Sequence, residues 1–256
     1  MAEEKKKKII SADTGEEVTP GASKKPAVKP AAPVGNATGL RIGAVVLWVF
    51  AIVFEVLAVL ILAGKIHMTF LPVMWQLIVM IVLDLACVII GAQLWKKANH
   101  IDPASEKNKV KFWLWNNMGV IVCVIAFVPL IILMLSNKNL DKKTKVICVI
   151  AAVIALLIGG AASVDYNPVS QEQQEAAMSA LGATDVYWTP FGHVYHTHVD
   201  ADNDDYCPYL NQSDSLTRGT VEQAITANRT RLCSWCARHD AIEGVATDDV
   251  DPNAEG

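Results

Sequence analysis

Three cysteines and one histidine near the end of the chain have the residue types and spacing that metal chemistry needs. Cys233 and Cys236 are separated by two residues, so a single turn of chain can bring both thiolates to one ion. His196 and Cys207 lie upstream and can complete a four-ligand shell. Three cysteines cannot all pair with one another, which disfavours structural disulfides. The pattern predicts one structural zinc ion on His196, Cys207, Cys233 and Cys236.

The motifs around these residues read Thr-x-x-Gly-x-x-Tyr-His from Thr189, Cys-x-x-Leu from Cys207, Glu-x-Ala from Glu222, and Cys-x-x-Cys from Cys233. This run resembles a small metal-binding module found at the ends of many bacterial secreted, membrane and nuclease-associated proteins. The module is similar in turn to the zinc domain of the bacterial adaptive-response DNA-repair protein, where a Cys stands at the position of His196. The resemblance covers residues 186–237 and implies zinc on the same four residues.

Two departures from the module leave alternatives open. The stretch between His196 and Cys207 is longer than the module leads one to expect, so His198 is a rival ligand. Leu232 stands before Cys233, where the module has Pro. The alternative to a zinc site is three unrelated cysteines and a surface histidine.

Catalysis finds no support among the motifs. Cys233 and Cys236 lack the βαβ pattern that surrounds a thioredoxin-like redox pair. The sequence contains no glycine-rich phosphate loop and no zincin motif. We therefore expect a protein that is not an enzyme, and the sequence indicates no small-molecule substrate.

Two acidic residues, Glu55 and Asp84, lie inside long apolar runs. An ionised carboxylate is expensive in hydrocarbon, so such residues usually face the interior of a helix bundle, form pairs or stay protonated. We expect both to be neutral and to hydrogen-bond between helices as part of the packing. The alternative is an ion or proton path, which would make the protein a small transporter, channel or sensor.

Four apolar runs carry these acids, at residues 42–62, 71–94, 113–135 and 146–164. Each is close to the roughly 20 helical residues that cross a bilayer. The predicted fold is thus an all-α membrane domain of four transmembrane helices, followed by a small α+β, zinc-ribbon-like domain. The four-helix part also resembles uncharacterised membrane proteins of Gram-positive bacteria, a resemblance that implies no activity.

The distribution of Lys and Arg predicts the orientation in the plasma membrane. The N-terminal arm and the second loop hold thirteen, whereas the first and third loops hold five. The N-terminus is therefore expected in the cytoplasm, and four crossings return the C-terminus there. An odd number of crossings would place the C-terminal domain outside.

The remaining segments are assigned by composition. Residues 1–41 are rich in Lys, Ala and Pro and are predicted to be a disordered basic arm. Residues 165–185 form a linker helix, which the Ser170–Gln173 capping box begins. The zinc module spans 186–240, with a β-hairpin at 186–196 and a short helix that begins at a second capping box, Thr220–Gln223. Residues 241–256 are predicted to be a disordered acidic tail.

Residues 165–256 contain sixteen Asp and Glu, four Arg and no Lys, a formal charge of −12. Nucleic acid and anionic lipid would repel such a segment, so a simple DNA-binding role is disfavoured. Besides the lipid bilayer, we expect a protein partner that docks on the C-terminal module. The sequence as a whole favours a membrane-anchored interaction or regulatory protein.

Overall fold

The computed structural model describes residues 8–18, 35–66, 69–182, 184–200 and 205–248. The chain divides into two compact units. Residues Asn36–Asn99 and Asn108–Tyr166 form the helical unit, and Met1–Gly35, His100–Lys107 and Asn167–Gly256 form the mixed unit.

Four long helices make up the helical unit, and they confirm the four predicted apolar helices. They are α1 (Ala37–Leu62), α2 (Val73–Ile101), α3 (Lys109–Ser136) and α4 (Lys142–Ser163). All four are long and apolar enough to cross a membrane. Their outward faces expose large apolar side chains such as Phe50, Ile132 and Leu157. Such surfaces indicate a membrane protein, because soluble domains rarely leave so many apolar side chains exposed together.

The helices extend beyond the predicted apolar runs because polar residues cap their ends. Asn36 accepts a hydrogen bond from the Gly39 amide at 2.9 Å, so α1 begins five residues before Ile42. Asn108 caps α3 and Asp141 caps α4 in the same way. A cap residue satisfies one of the orphan amides of the first turn. The hydropathy of the sequence marks the apolar part of each helix and leaves out these polar ends.

Small residues let the helices approach closely. A Cβ atom at Gly119 would lie 2.7 Å from Cβ of Ala92, and one at Gly159 would lie 2.9 Å from Sγ of Cys123. Gly160, next in sequence, has open space around it. Close packing through small residues is typical of helices in membranes.

The mixed unit is built on a four-stranded sheet with strand order β2-β1-β7-β3. The strands are β1 (Lys8–Ser11), β2 (Glu17–Val18), β3 (Val186–Trp188) and β7 (Ser215–Gly219). Two further pairs stand beside the sheet: β4 (Val194–Tyr195) is parallel to β8 (Arg231–Leu232), and β5 (Val199–Asp200) is antiparallel to β6 (Asp205–Tyr206). Three helices complete the unit: α5 (Gln171–Leu181), α6 (Val221–Thr226) and α7 (Ser234–His239).

The structure differs from the predicted disordered arm at residues 8–18. β1 is parallel to β7 and pairs Ile9 with Leu216, and β2 folds back on β1. Ile9 is only 4% exposed and belongs to the core of the unit. The pairing partner lies some 200 residues away in sequence, so no local pattern could indicate this strand. Residues 1–7 and 19–34 of the predicted arm lie outside the described residues.

The predicted disordered tail also differs at its beginning. The amide of Leu232 donates to the carbonyl of Ala246 at 2.9 Å, and Asp248 accepts from the Ser234 amide at 2.6 Å. The carboxylate of Asp248 thereby caps the first turn of α7. The mixed unit thus continues to Asp248, and residues 249–256 lie outside the described part of the chain.

The two short helices predicted in this unit are present. Ser170 and Thr220 each form a capping box, and the helices that follow are α5 and α6. The predicted hairpin is reduced to a bridge between Tyr187 and His196, which exchange two backbone hydrogen bonds of 2.8 and 2.7 Å. β3 takes β7 as its main partner, because β7 lies along its whole length.

Candidate metal centre

Each candidate ligand lies next to a short strand or at a helix start. The parallel pairing of β4 and β8 places Tyr195 beside Leu232, so the next residues, His196 and Cys233, become neighbours. The amide of Cys233 donates to the carbonyl of Tyr195 at 2.9 Å and fixes this register. Cys236 lies in the first turn of α7. Cys207 precedes a 3-10 helix, Pro208–Gln212, that the proline begins.

The turn between β3 and β4 returns the chain toward the ligands and requires a glycine. Gly192 has φ +106°, a conformation that side chains with a Cβ rarely adopt. Arg229 holds this turn by donating to the carbonyls of Thr189 at 3.0 Å and Pro190 at 2.6 Å. The positive φ gives a structural reason for the glycine at this position of the Thr-x-x-Gly-x-x-Tyr-His pattern.

The four ligand atoms converge. One atom each from His196, Cys207, Cys233 and Cys236 lies within 4.8 Å of all the others, and all four residues are buried. Sγ of Cys207 lies 3.3 Å from Nδ1 of His196 and 3.8 Å from Sγ of Cys233. Sγ of Cys236 lies 3.9 Å from the same Nδ1. The group could therefore hold one metal ion.

These distances fit a tetrahedral shell. Zinc–sulfur bonds of about 2.3 Å imply sulfur–sulfur edges of about 3.8 Å, and zinc–nitrogen bonds of about 2.0 Å imply slightly shorter mixed edges. A disulfide would need sulfurs about 2.05 Å apart, and the three cysteines are free. Burial without a metal would leave three thiols and an imidazole packed against one another. The donor set and its spacing thus fit a metal ion.

The three thiols of the cluster hydrogen-bond to one another, and these contacts shift the pKa values of Cys207 and Cys236 in opposite directions. The pKa of Cys207 is raised because its thiol hydrogen-bonds to Cys233 and Cys236, whereas the pKa of Cys236 is lowered because its sulfur accepts from the other two cysteines. The backbone amide of Thr197 also donates to Cys236. A divalent cation would hold all three as thiolates and offset two of their three negative charges.

His198, the rival ligand, is not part of the cluster. Its Nε2 lies 2.5 Å from Oδ1 of Asp240, whose other oxygen accepts from the Thr197 hydroxyl at 2.9 Å. The His198 ring packs edge-on against His239, with ring centroids 4.6 Å apart, and His239 stacks on Trp235 at 4.8 Å. The structure therefore brings together His196 and the three cysteines and places His198 in an outer layer.

Sequence reasoning missed this outer layer. Trp235 lies inside the Cys-x-x-Cys motif, and His239 and Asp240 follow one turn of α7 later. The spacing from Cys236 to Asp240 is the signal that could have indicated a common helix face. Together with His198, these residues form a cluster of rings and a carboxylate next in sequence to the candidate ligands.

The two acids of the apolar helices, Glu55 and Asp84, belong to the helical unit, whereas the candidate metal ligands belong to the mixed unit. Asp84, on α2, is 1% exposed and both of its carboxylate oxygens lack a hydrogen-bond partner within the described residues. Glu55, on α1, is half-buried and interacts electrostatically with Asp84. The expected interhelical hydrogen bond to Asp84 is thus not found in the described part of the chain.

Comparisons with known proteins add no further constraint. No protein-family model, no curated protein and no solved structure matches the chain.

Proposed function

We propose that the protein is a multi-pass membrane protein whose mixed unit is a small zinc-ribbon-like domain, stabilised by one structural zinc ion. His196, Cys207, Cys233 and Cys236 would hold the ion. The observation that carries this proposal is the convergence of four buried ligand atoms within 4.8 Å. The resemblance of residues 186–237 to the small zinc module supports the same assignment.

The ligand set favours zinc and a structural role. Thiolates together with an imidazole in a tetrahedral arrangement are typical of structural zinc, whereas calcium and magnesium prefer oxygen ligands. Four protein ligands fill a tetrahedral shell and leave no position for water or substrate. When bound, zinc would supply folding free energy to a unit with a small core. We therefore propose a protein that is not an enzyme.

The membership of the mixed unit supports a cytoplasmic location for this domain. Residues 8–18, 100–107 and 167–248 belong to one unit, and two apolar helices separate each segment from the next. Two crossings return a chain to the side from which it started, so four crossings would leave all three segments on the same side. The thirteen Lys and Arg of the flanks on that side favour the cytoplasm. The reducing cytoplasm would also keep the three ligand cysteines as thiols.

A protein partner is the best-supported ligand of the domain. The charge of −12 over residues 165–256 would repel nucleic acid and favours a basic protein surface. We propose that the protein anchors an interaction or regulatory domain at the inner face of the plasma membrane.

Zinc content of the full-length protein tests the site. In detergent, with reductant and supplied zinc, the wild type should bind one zinc per chain. Cys207→Ser, Cys233→Ser, Cys236→Ser and His196→Ala should each lose most of it, because a three-ligand shell binds far more weakly. Cys148→Ser is the matched control: this cysteine is buried between helices, and its thiol hydrogen-bonds to the Met74 carbonyl. The variant should keep its zinc.

His198→Ala separates the two histidines. The variant should keep its zinc, because His198 contacts Asp240 and lies outside the ligand cluster. Loss of zinc in His198→Ala with retention in His196→Ala would show that the wrong histidine is assigned. A wild type with almost no zinc would contradict the site altogether.

A further inference from the structure

Asp84 is an acidic residue that is buried inside the helical unit. It lies on the α2 face that also buries Leu77, Ile81 and Val88, so it points into the helical unit. Asp84 lies about 16 Å along the helix axis from the start of α2, since each residue of a helix adds 1.5 Å. In a hydrocarbon layer of about 30 Å, that position is close to the middle.

Within the described residues, Asp84 is the one carboxylate with both oxygens buried and no hydrogen-bond partner. An unpartnered anion in so apolar a place is strongly unfavourable, whereas a protonated acid is tolerated. Simple packing would have given the protonated acid an acceptor on a neighbouring helix. The absence of one among the described residues distinguishes Asp84 from a packing residue.

The groups around Asp84 favour a proton over a metal cation as its ligand. The titratable groups that interact electrostatically with Asp84 are Glu55 on α1, Cys87 on α2 itself and Cys123 on α3. α4 carries its titratable groups near its start: Lys142, Lys143, Lys145 and Cys148. A hard cation such as Ca2+ or Mg2+ takes about six or more oxygen ligands. Glu55 is the only other carboxylate in the four helices. A proton needs a single oxygen.

Glu55 lies on the path that a proton would take to Asp84 from the connection between α1 and α2. It lies about 10 Å before the end of α1, and so nearer than Asp84 to the connection between α1 and α2. Its side chain is half-buried, whereas Asp84 is fully enclosed. A proton arriving from that side would meet Glu55 first.

We propose that Asp84 is a proton-binding site of the membrane domain, and that it exchanges its proton through Glu55 with the side of the membrane that holds the connection between α1 and α2. The site would bind a proton and no metal cation. The proposal requires that the helices span a bilayer, but it is independent of the zinc site.

Infrared spectroscopy of the full-length protein in lipid bilayers tests the proposal. At neutral pH, the wild type should show the carbonyl stretch of a protonated carboxylic acid. A component of that band should disappear in Asp84→Asn and persist in Asp84→Glu. Asp141→Asn is the matched control, because Asp141 is an exposed acid at the start of α4; its spectrum should retain the band.

Exchange is measured on the same samples. Transfer to D2O should shift the wild-type band to lower wavenumber, and Glu55→Gln should slow that shift. Absence of the band from the wild type, or its full persistence in Asp84→Asn, would overturn the assignment. A band that never shifts in D2O would show a locked, structural acid and would also overturn the proposal. An unchanged exchange rate in Glu55→Gln would refute the route. Zinc content reports separately on the metal site.

Discussion

The carboxylate of Glu172 ties together two distant segments of the mixed unit. It accepts hydrogen bonds from the Ser105 hydroxyl and from the Glu106 amide, the latter at 2.9 Å. The Gln171 amide donates to the carbonyl of Ala104 beside it. These contacts fasten the connection between α2 and α3 to the first turn of α5. The first of them, the hydrogen bond from Ser105, is the main reason why the pKa of Glu172 is lowered to about 2.

The lowered pKa predicts acid sensitivity of this contact. A carboxyl whose pKa is lower in the folded state stabilises the fold above its unfolded pKa and loses that effect as the pH falls toward the folded pKa. The connection should therefore loosen between about pH 4.5 and about pH 2. At neutral pH, Glu172→Gln should loosen it in the same way, seen as faster deuterium uptake at residues 100–107.

Glu175→Gln is the control for that experiment. Glu175 lies one turn further along α5, and its carboxylate accepts from the Gln171 side chain. Deuterium uptake at residues 100–107 of the Glu175→Gln variant should match that of the wild type. Equal protection in Glu172→Gln and the wild type would show that the carboxylate does not hold the connection.

At the residue scale, the sequence predicted what is local and missed what is distant. Cys233 and Cys236 form one turn, and a motif identifies such a pair directly. Ser105 and Glu172 are 67 residues apart, and no motif links them. Likewise, the spacing left His196 and His198 as alternatives, and only the register of β4 against β8 separates them.

Among the elements, β1 shows that the sheet of the mixed unit includes a strand from the N-terminal part of the chain. It lies between β2 and β7 in the sheet, so a fragment that begins at residue 185 would expose the edge of β7. Unpaired strand edges invite aggregation. The contribution of β1 to the stability of the unit comes from Ile9, whose side chain is buried. Ile10 points to the other face of the sheet and is 37% exposed.

Ile9 and Ile10 form a matched pair for testing this strand. Ile9→Asp should lower the free energy of unfolding of the mixed unit by at least about 2 kcal/mol, because it buries a charge in place of an apolar side chain. Ile10→Asp should cost much less. Deuterium uptake at β3, whose Val186 and Trp188 belong to the core of this unit, measures both during chemical denaturation. Equal effects would mean that β1 does not pack as described.

Gly159 and Gly160 give a second matched pair, in α4. A Cβ atom at Gly159 would meet Sγ of Cys123 at 2.9 Å and Cδ1 of Leu85 at 3.0 Å, while one at Gly160 would meet nothing within 4 Å. Gly159→Val should destabilise the helical unit by about 1–3 kcal/mol through overpacking. Gly160→Val should be close to neutral. Unfolding in detergent compares them, and an equal loss in both variants would contradict the close approach of α4 to α3.

The helices were predictable because apolar runs of this length have few other uses. Their ends were not, since α2 continues to Ile101 through Lys96, Lys97 and Asn99, which hydropathy excludes. Lys96 extends to the carbonyls of Ala162 at 2.8 Å and Val164 at 3.2 Å. A positive charge at the C-terminal end of α4 is favourable there. The partner that accounts for this lysine lies on another helix, and the sequence of α2 alone does not indicate it.

For the whole molecule, the segments that make up the mixed unit limit how many times the chain could cross a membrane. The N-terminal strand pairs with β7, about 200 residues later in the chain, so residues 8–18 and 205–248 belong to one folded unit. An odd number of crossings would put β1 and β7 on opposite sides of the membrane and make that pairing impossible. The sequence left this possibility open, because the third loop carries four Lys. Strand pairing is thus a stronger constraint than the distribution of charge.

Epitope tags on intact cells test this constraint. Tags before Met1 and after Gly256 should be protected from an added protease until the cells are permeabilised. Tags inserted beside Lys65 and Lys138, in the first and third loops, should be cleaved at once, because these loops would lie outside. A C-terminal tag cleaved in intact cells while the N-terminal tag stays protected would rule out the pairing of β1 with β7. It would also place Cys207, Cys233 and Cys236 in an oxidising compartment, where disulfide formation would compete with the proposed binding of zinc. The location of the C-terminus therefore tests both the pairing of β1 with β7 and the redox conditions at the candidate metal site.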